Sequence, residues 1–346
     1  MLLILIALIV GVALGLAPTP SKRAELPATP TCLPSSTKLV VAETEPPTAQ
    51  PSATAIPTAI HTPTQRATPS PTPSSTMTAT ATPMPPLTPT LTTAPPEDHY
   101  WLEHPISPEG SDRATRYYPY ASRADGSYPI HHGLDFVNPM GTPILATAPG
   151  TIIIACDDLT EVYGARTNFY GVLVIQEIDD IFRGEPIYIL YGHLSEISVV
   201  AGQRVEVGDQ IGLVGMAGVA MGPHLHMEVR YAENDYGATV NPDLWVRPLQ
   251  GHGTLAGLVL SPDGHPVAEA NISLYRADVP DSLVRELFTY PAKEVNSDPA
   301  WEENFASGDL PARRWIVRVY HHQRLCTETV TIESCLTTWL TIHTTQ

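Results

Sequence analysis

The chain has 346 residues, of which 36 are proline and only 16% are charged, with a formal net charge of −17. An acidic surplus of that size excludes the phosphate-neutralising surface that nucleic-acid binding depends on, and gives no electrostatic attraction to an anionic membrane. The length allows two domains, but proline is at roughly twice its ordinary share, so part of the chain is not built to fold.

Residues 1–17 open with Met1-Leu2-Leu3-Ile4-Leu5-Ile6 and stay apolar through Ala17, with no Lys or Arg before them and Lys22 and Arg23 after. The stretch is longer than most signal-peptide cores and slightly short for a spanning helix, so export is expected either with a cleaved signal or with a membrane anchor. Small residues at Gly15 and Ala17 suit cleavage, and Pro18 opposes it. Residues 18–96 are Pro, Thr, Ser and Ala with few large apolar side chains. They cannot bury enough surface to offset their ordering entropy, and a disordered, partly polyproline tether is expected. At about 3.1 Å per residue where extended, it reaches on the order of 200 Å and spaces the folded part away from a membrane.

Order is expected from Trp101. Within residues 97–250, short β-branched runs alternate with glycine at Thr151–Ile154, Val172–Ile175, Ile187–Tyr191 and Gln210–Val214, a pattern of β-strands separated by turns. No Gly-Lys-Ser/Thr follows any glycine cluster, so a phosphate-binding loop is not indicated. Residues 251–346 read as a second, smaller β-sandwich: strands at 254–260, 270–275, 315–320, 327–332 and 337–342, a turn at Ser261-Pro262-Asp263-Gly264, and a longer irregular insertion from about Ala277 to Ala312. Of the four cysteines, Cys32, Cys156, Cys326 and Cys335, none has Cys-x-x-Cys spacing. Cys326 and Cys335 flank one strand and are a candidate bridge in an oxidising compartment, while Cys156 reads as a buried thiol.

The chemistry lies in the histidines. His224 and His226 stand two apart in Gly222-Pro223-His224-Leu225-His226-Met227-Glu228-Val229, and a strand would project both from one face. His131 and Asp135 stand four apart upstream. Imidazoles converging with a carboxylate make a candidate zinc site with a position left for water, whose pKa would fall towards roughly 7. Singly each spacing is common; their order gives them weight. The series runs His131-x-Gly133-x-Asp135, Gly141-Thr142-Pro143-Ile144-x-Ala146, Gly150-Thr151-Ile152, Tyr191-Gly192-His193-Leu194-Ser195 and then the Gly222–Val229 run.

This series resembles the M23 zinc metallopeptidases, the lysostaphin- and LytM-type endopeptidases, from about Tyr128 to Asp243. The resemblance implies a mainly antiparallel β-sheet with its site in a groove, one Zn²⁺ on His131, Asp135 and His226, and catalytic roles for His193 and His224. The substrates implied are peptides of bacterial peptidoglycan. His132 competes with His131 as a ligand, and the family pattern favours His131, leaving His132 facing solvent. Glu228 shares the His226 face and is read as supporting that ring rather than as a base. The remaining histidines, His99 and His104 among them, have no partnered spacing and read as surface residues. The sequence departs from the family at Val172, where Asn is frequent, and at Ala217, Ala220 and Met221, where Ser or Thr is common. The tail from Gly253 to Ile342 resembles the carboxypeptidase regulatory-like, transthyretin-type sandwich through Gly257-x-Val259, Asp263-Gly264-x-Pro266-Val267 and Ala270-x-Ile272, although Ala312 replaces a customary glycine. The whole is therefore expected to be an exported, mainly β zinc endopeptidase; the alternative is a non-catalytic wall-binding or amidase-regulating protein.

Overall fold

The computed structural model describes residues 96–124 and 126–345, so the apolar start and all but the last residue of the tether lie outside the described residues. Ten strands form the first part: β1 (Leu134–Val137), β2 (Pro143–Leu145), β3 (Gly150–Asp157), β4 (Val172–Phe182), β5 (Glu185–Gly192), β6 (Leu194–Ile197), β7 (Arg204–Val205), β8 (Gln210–Val214), β9 (His224–Tyr231) and β10 (Thr239–Val240). Seven follow: β11 (His252–Leu260), β12 (Asn271–Arg276), β13 (Val279–Phe288), β14 (Phe305–Pro311), β15 (Arg314–His321), β16 (Arg324–Thr331) and β17 (Thr337–His343). The mainly β fold expected from the sequence is what forms. Among the described residues, no helix is long and apolar enough to cross a membrane.

The larger sheet runs β1-β9-β5-β4-β3-β7, with β10 also on β9, and every pairing in it is antiparallel. β9 shows why the strand period matters. Leu225, Met227 and Val229 are fully buried in the apolar core, and the alternate positions His224, His226, Glu228 and Arg230 turn to the opposite face. A small sheet, β2-β8-β6, closes the other side of that core through Ile144, Leu194, Ile211 and Val214.

The second part is a sandwich of two sheets, β14-β11-β17 and β13-β12-β15-β16, with Leu255, Val259, Phe305, Ile272, Trp315 and Val317 buried between them. β11 and β17 run parallel; the other pairings there are antiparallel. The insertion expected between Ala277 and Ala312 is not irregular throughout, because it holds both β13 and β14. β13 contains Pro280 and Asp281 and its first half is exposed, so it lacks the apolar alternation that marks a strand. The two parts share buried surface: Ala256, Trp301 and Ala306 belong to the same core cluster as Trp245.

Four further expectations change. Cys326 carries a free thiol and is not bridged to Cys335. β16 runs five residues from Cys326 to Thr331, roughly 17 Å at the strand rise, and Cys335 lies past that far end with its amide on the His252 carbonyl. Cys156 is free as expected, but only half-buried. His132 does not face solvent: it is 4% exposed, bonded to Thr239 Oγ1 at 2.8 Å and stacked on Tyr236. Nor is His99 a surface residue. It is 2% exposed, pairs with Asp298 at 2.8 Å and packs against Phe182 and Trp245.

Candidate active site

β1 lies beside β9 in a register that sets Asp135 directly opposite His226 and Val137 opposite His224. On the other flank Gly192, the last residue of β5, pairs with His226, which places His193 at the same end of the sheet. His193 itself has φ of 64°, a left-handed conformation that costs a non-glycine residue energy and that here turns the chain from β5 into β6. His131 precedes β1 and is held by paired backbone bonds with Ser122 and Ala121.

These elements bring three donor atoms together. His131 Nε2, Asp135 Oδ1 and His226 Nδ1 stand 3.0, 3.1 and 2.9 Å apart, a closed triangle. Tetrahedral ligands at zinc bond lengths lie roughly 3.3 Å from one another, so the triangle is within a few tenths of an ångström of that size. The donor set is also chemically that of a metal site, two imidazoles and a carboxylate that could hold an ion. Burial opposes ionisation of Asp135, yet the adjoining His131 and His226 hold its carboxyl well below the usual range. His226 behaves conversely: burial alone would lower its pKa, but Asp135 and Glu228 raise it to about 9.

The ring of His226 is fixed from behind. Its Nε2 lies 3.2 Å from Glu228 Oε1, and Glu228 Oε2 accepts from Arg230 Nε at 2.8 Å. Burial would raise the Glu228 pKa, but Arg230 and His226 bring it down to about 2, so the carboxylate stays charged. The Tyr170 hydroxyl donates to the same Glu228 oxygen, and its ring stacks on His226. Tyr118 stacks on His131 with ring centroids 4.2 Å apart.

His193 and His224 have defined tautomers. His224 Nδ1 is 2.8 Å from the Gly222 carbonyl, and His193 Nδ1 is 2.7 Å from the Ala217 carbonyl. Carbonyls only accept, so in the neutral rings both Nδ1 atoms carry the proton and both Nε2 atoms keep a lone pair. Nε2 of His224 sits 3.7 Å from Asp135 Oδ1, close enough to share one small molecule with the triangle and too far to bond to it directly. Burial, then the neighbouring His226 and His224, lowers the His193 pKa to about 3 and keeps that ring neutral. The carbonyl that orients His193 is itself held by a close backbone approach. Gly171 and Gly218, both at φ of 74°, press together so tightly that a Cβ on either would overlap the other loop. Asp158, buried, pins that loop by accepting from the amides of Phe169, Tyr170 and Gly171.

All five residues singled out in the sequence line one cavity of about 660 Å³, walled by Tyr118, Phe169, Tyr170, Met221 and Tyr236. Sequence reasoning missed Tyr118, Tyr170 and Arg230. Arg230 had a signal, since it stands two residues beyond Glu228 on the same face; Tyr118 had none.

A convergent His–Asp–His triangle with two further oriented imidazoles, set in a groove of an antiparallel sheet, is a donor set that could hold a metal ion beside groups able to move a proton. Residues 129–242 match the model of Peptidase family M23. The DD-carboxypeptidase/endopeptidase Mpg of Neisseria meningitidis is 36% identical over 113 residues, covering 33% of this chain and 22% of that protein. The peptidoglycan DD-endopeptidase ShyA of Vibrio cholerae is 36% identical over 99 residues, covering 29% of this chain and 20% of that one. The chain therefore matches only about a fifth of the length of these curated relatives. Among solved structures, the catalytic domain of lysostaphin from Staphylococcus simulans aligns with 37% of this chain and 86% of its own length, at 27% identity and a TM-score of 0.30.

Proposed function

We propose that this protein is a zinc-dependent endopeptidase that hydrolyses peptide bonds of bacterial peptidoglycan outside the cytoplasm. In this reading 97–250 is the peptidase domain, 251–346 an accessory sandwich and 18–96 the tether from a signal or anchor at 1–17. One zinc ion would be held by His131, Asp135 and His226. When bound there, zinc supplies a Lewis acid and lowers the pKa of water towards neutrality. The chain's own residues do the rest. His224 Nε2 takes the proton from the attacking water and passes it to the leaving amine, which its free lone pair permits. His193 Nε2, oriented by the Ala217 carbonyl, hydrogen-bonds the reacting oxygen, and the aromatic walls exclude bulk water.

The observation that carries the reading is the triangle of donor atoms with His226 backed by Glu228. The Vibrio relative is named a peptidoglycan DD-endopeptidase, which supports wall peptides as the substrate. The lining of the groove, among the described residues, includes no Lys or Arg. Such a wall suits an internal bond better than a chain end bearing a carboxylate, which would call for a cation. The test is digestion of purified sacculi by the metal-analysed protein, with mass analysis of the muropeptides released. Cleaved cross-links are expected, abolished by a chelator and restored by zinc. A zinc-loaded protein that releases nothing from any wall would favour the wall-binding or amidase-regulating alternative.

A further inference from the structure

A second cavity, of about 280 Å³, lies on the far side of β1 from the catalytic groove. β1 divides the two by strand alternation: Leu134 and Phe136 line this cavity, while Asp135 and Val137 line the groove. The rest of its wall comes from the segment before β1, from Asp243 and Val246 after β10, and from the sandwich strands β13, β14 and β15. The chain holds only 19 Lys and Arg in 346 residues, and three of them, Arg113, Arg116 and Arg285, converge here.

Among the described residues, none of the three forms an ion pair. The arginine ion pairs among the described residues engage Arg123, Arg204, Arg230, Arg247 and Arg276. Arg285 is half-buried and spends one end of its guanidinium on Ser307 Oγ at 2.6 Å and the Gly308 carbonyl at 2.8 Å, both neutral. Arg113 reaches only His252 Nε2 at 3.4 Å, and Arg116 the Val284 carbonyl at 3.4 Å and the Tyr117 hydroxyl at 2.9 Å. Two acids, Asp243 and Asp309, share the wall and attract Arg285 without forming an ion pair with it. Asp309 accepts from the Leu249 amide, and the buried Asp243 carboxyl is held by the Gly308 backbone. His104 contributes a ring whose two nitrogens are buried without a hydrogen-bond partner.

Asp243 and Asp309 attract Arg285 across the cavity, yet the wall sets three guanidiniums against two carboxylates and so keeps a surplus of positive charge. Guanidinium forks match the oxygens of carboxylates and phosphates, and the apolar walls from Leu134, Phe136 and Trp315 strengthen such a contact by lowering the local dielectric. We propose that this cavity between the M23 domain and the sandwich binds a small oxyanion, a carboxylate or a phosphate, clamped by Arg113, Arg116 and Arg285. The site neighbours the groove in two ways: the Thr115 amide donates to the Asp135 carbonyl at 2.7 Å, and Arg116 leads directly into Tyr117 and Tyr118 of the groove wall.

The proposal does not depend on the peptidase reading. The full chain would be titrated by calorimetry with inorganic phosphate and, separately, with N-acetyl-D-alanyl-D-alanine, which presents a terminal carboxylate on a small apolar body. Binding of at least one probe is expected with a Kd at or below about 1 mM; which probe binds identifies the phosphate or carboxylate source. Arg113→Gln/Arg116→Gln, which changes only exposed side chains, should weaken binding at least tenfold without altering the circular dichroism spectrum. Asp135→Asn, which alters the groove, should leave it within a factor of two. The assignment is overturned if neither probe binds, if the double arginine variant binds as the parent does, or if binding disappears in Asp135→Asn and so belongs to the groove.

Discussion

At the scale of single residues, the site depends on charges standing behind the ring that faces the groove. Glu228 and Arg230 are both fully buried and bonded to each other, with Glu228 also on His226. Replacing Glu228 by Gln removes the charge that orients His226 and leaves the Arg230 guanidinium buried with no counter-ion. Two outcomes are expected together: zinc affinity, measured against a competing chelator, falls about 10–100-fold, and unfolding free energy in urea drops by about 3–5 kcal/mol. Loss of one without the other would mean that the pair serves only packing or only the metal. The groove-facing histidines separate differently. His226→Ala should lose zinc and turnover alike. His224→Ala and His193→Ala should keep zinc and lose about 10²–10⁴-fold in kcat; a normal rate in either removes that ring from the mechanism. The shared face of His224 and His226 was legible because strand geometry is local and has a period of two. The burial of His132 was not, since it is decided by Tyr236 and Thr239 more than a hundred residues away.

At the scale of elements, the decisive contact is the seam between β1 and β9, because it alone sets Asp135 against His226. Gly133 sits at its entrance. A Cβ there would lie 2.3 Å from the Met227 carbonyl oxygen and 3.0 Å from His226 Cε1, so alanine must push the strand or the ligand ring away. Gly133→Ala is expected to cost about 1–3 kcal/mol or more by overpacking and to lower zinc occupancy with it. Gly222→Ala, whose Cβ would meet nothing within 4 Å, should change stability by less than about 1 kcal/mol. Equal effects at the two positions would show that the seam is not what holds the triangle. The strands around this seam were readable from β-branched runs between glycines. β13 and β14 were not: Val-Pro-Asp-Ser and Phe-Ala-Ser-Gly-Asp carry the residues of turns, and it is pairing with β12 and β11 that extends them.

At the scale of the whole molecule, the peptidase sheet and the sandwich are joined by a buried polar network as well as by apolar contact. His99 pairs with Asp298, the Asp298 amide donates to both oxygens of Glu303, and Tyr290 donates to Glu303 Oε1 while accepting from Asn241. These partners come from positions as much as 199 residues apart, and no spacing in the sequence connects them. Glu303 is fully buried, and burial followed by the Asp298 charge raises its pKa from 4.5 to about 8. Because the folded pKa is the higher one, the folded state keeps a proton that the unfolded chain releases between those values. The stability this confers is whole below pH 4.5, declines as pH rises, and is gone above about 8. The stability difference between the parent and Glu303→Gln, whose amide does not titrate, should therefore fall with a slope approaching about 1.4 kcal/mol per pH unit, levelling off on the alkaline side. Urea midpoints taken at half-unit steps from pH 5 to 9 would measure it. A flat difference would mean that Glu303 is ionised inside the fold and that Tyr290 and the Asp298 amide alone hold its charge between the two halves of the protein.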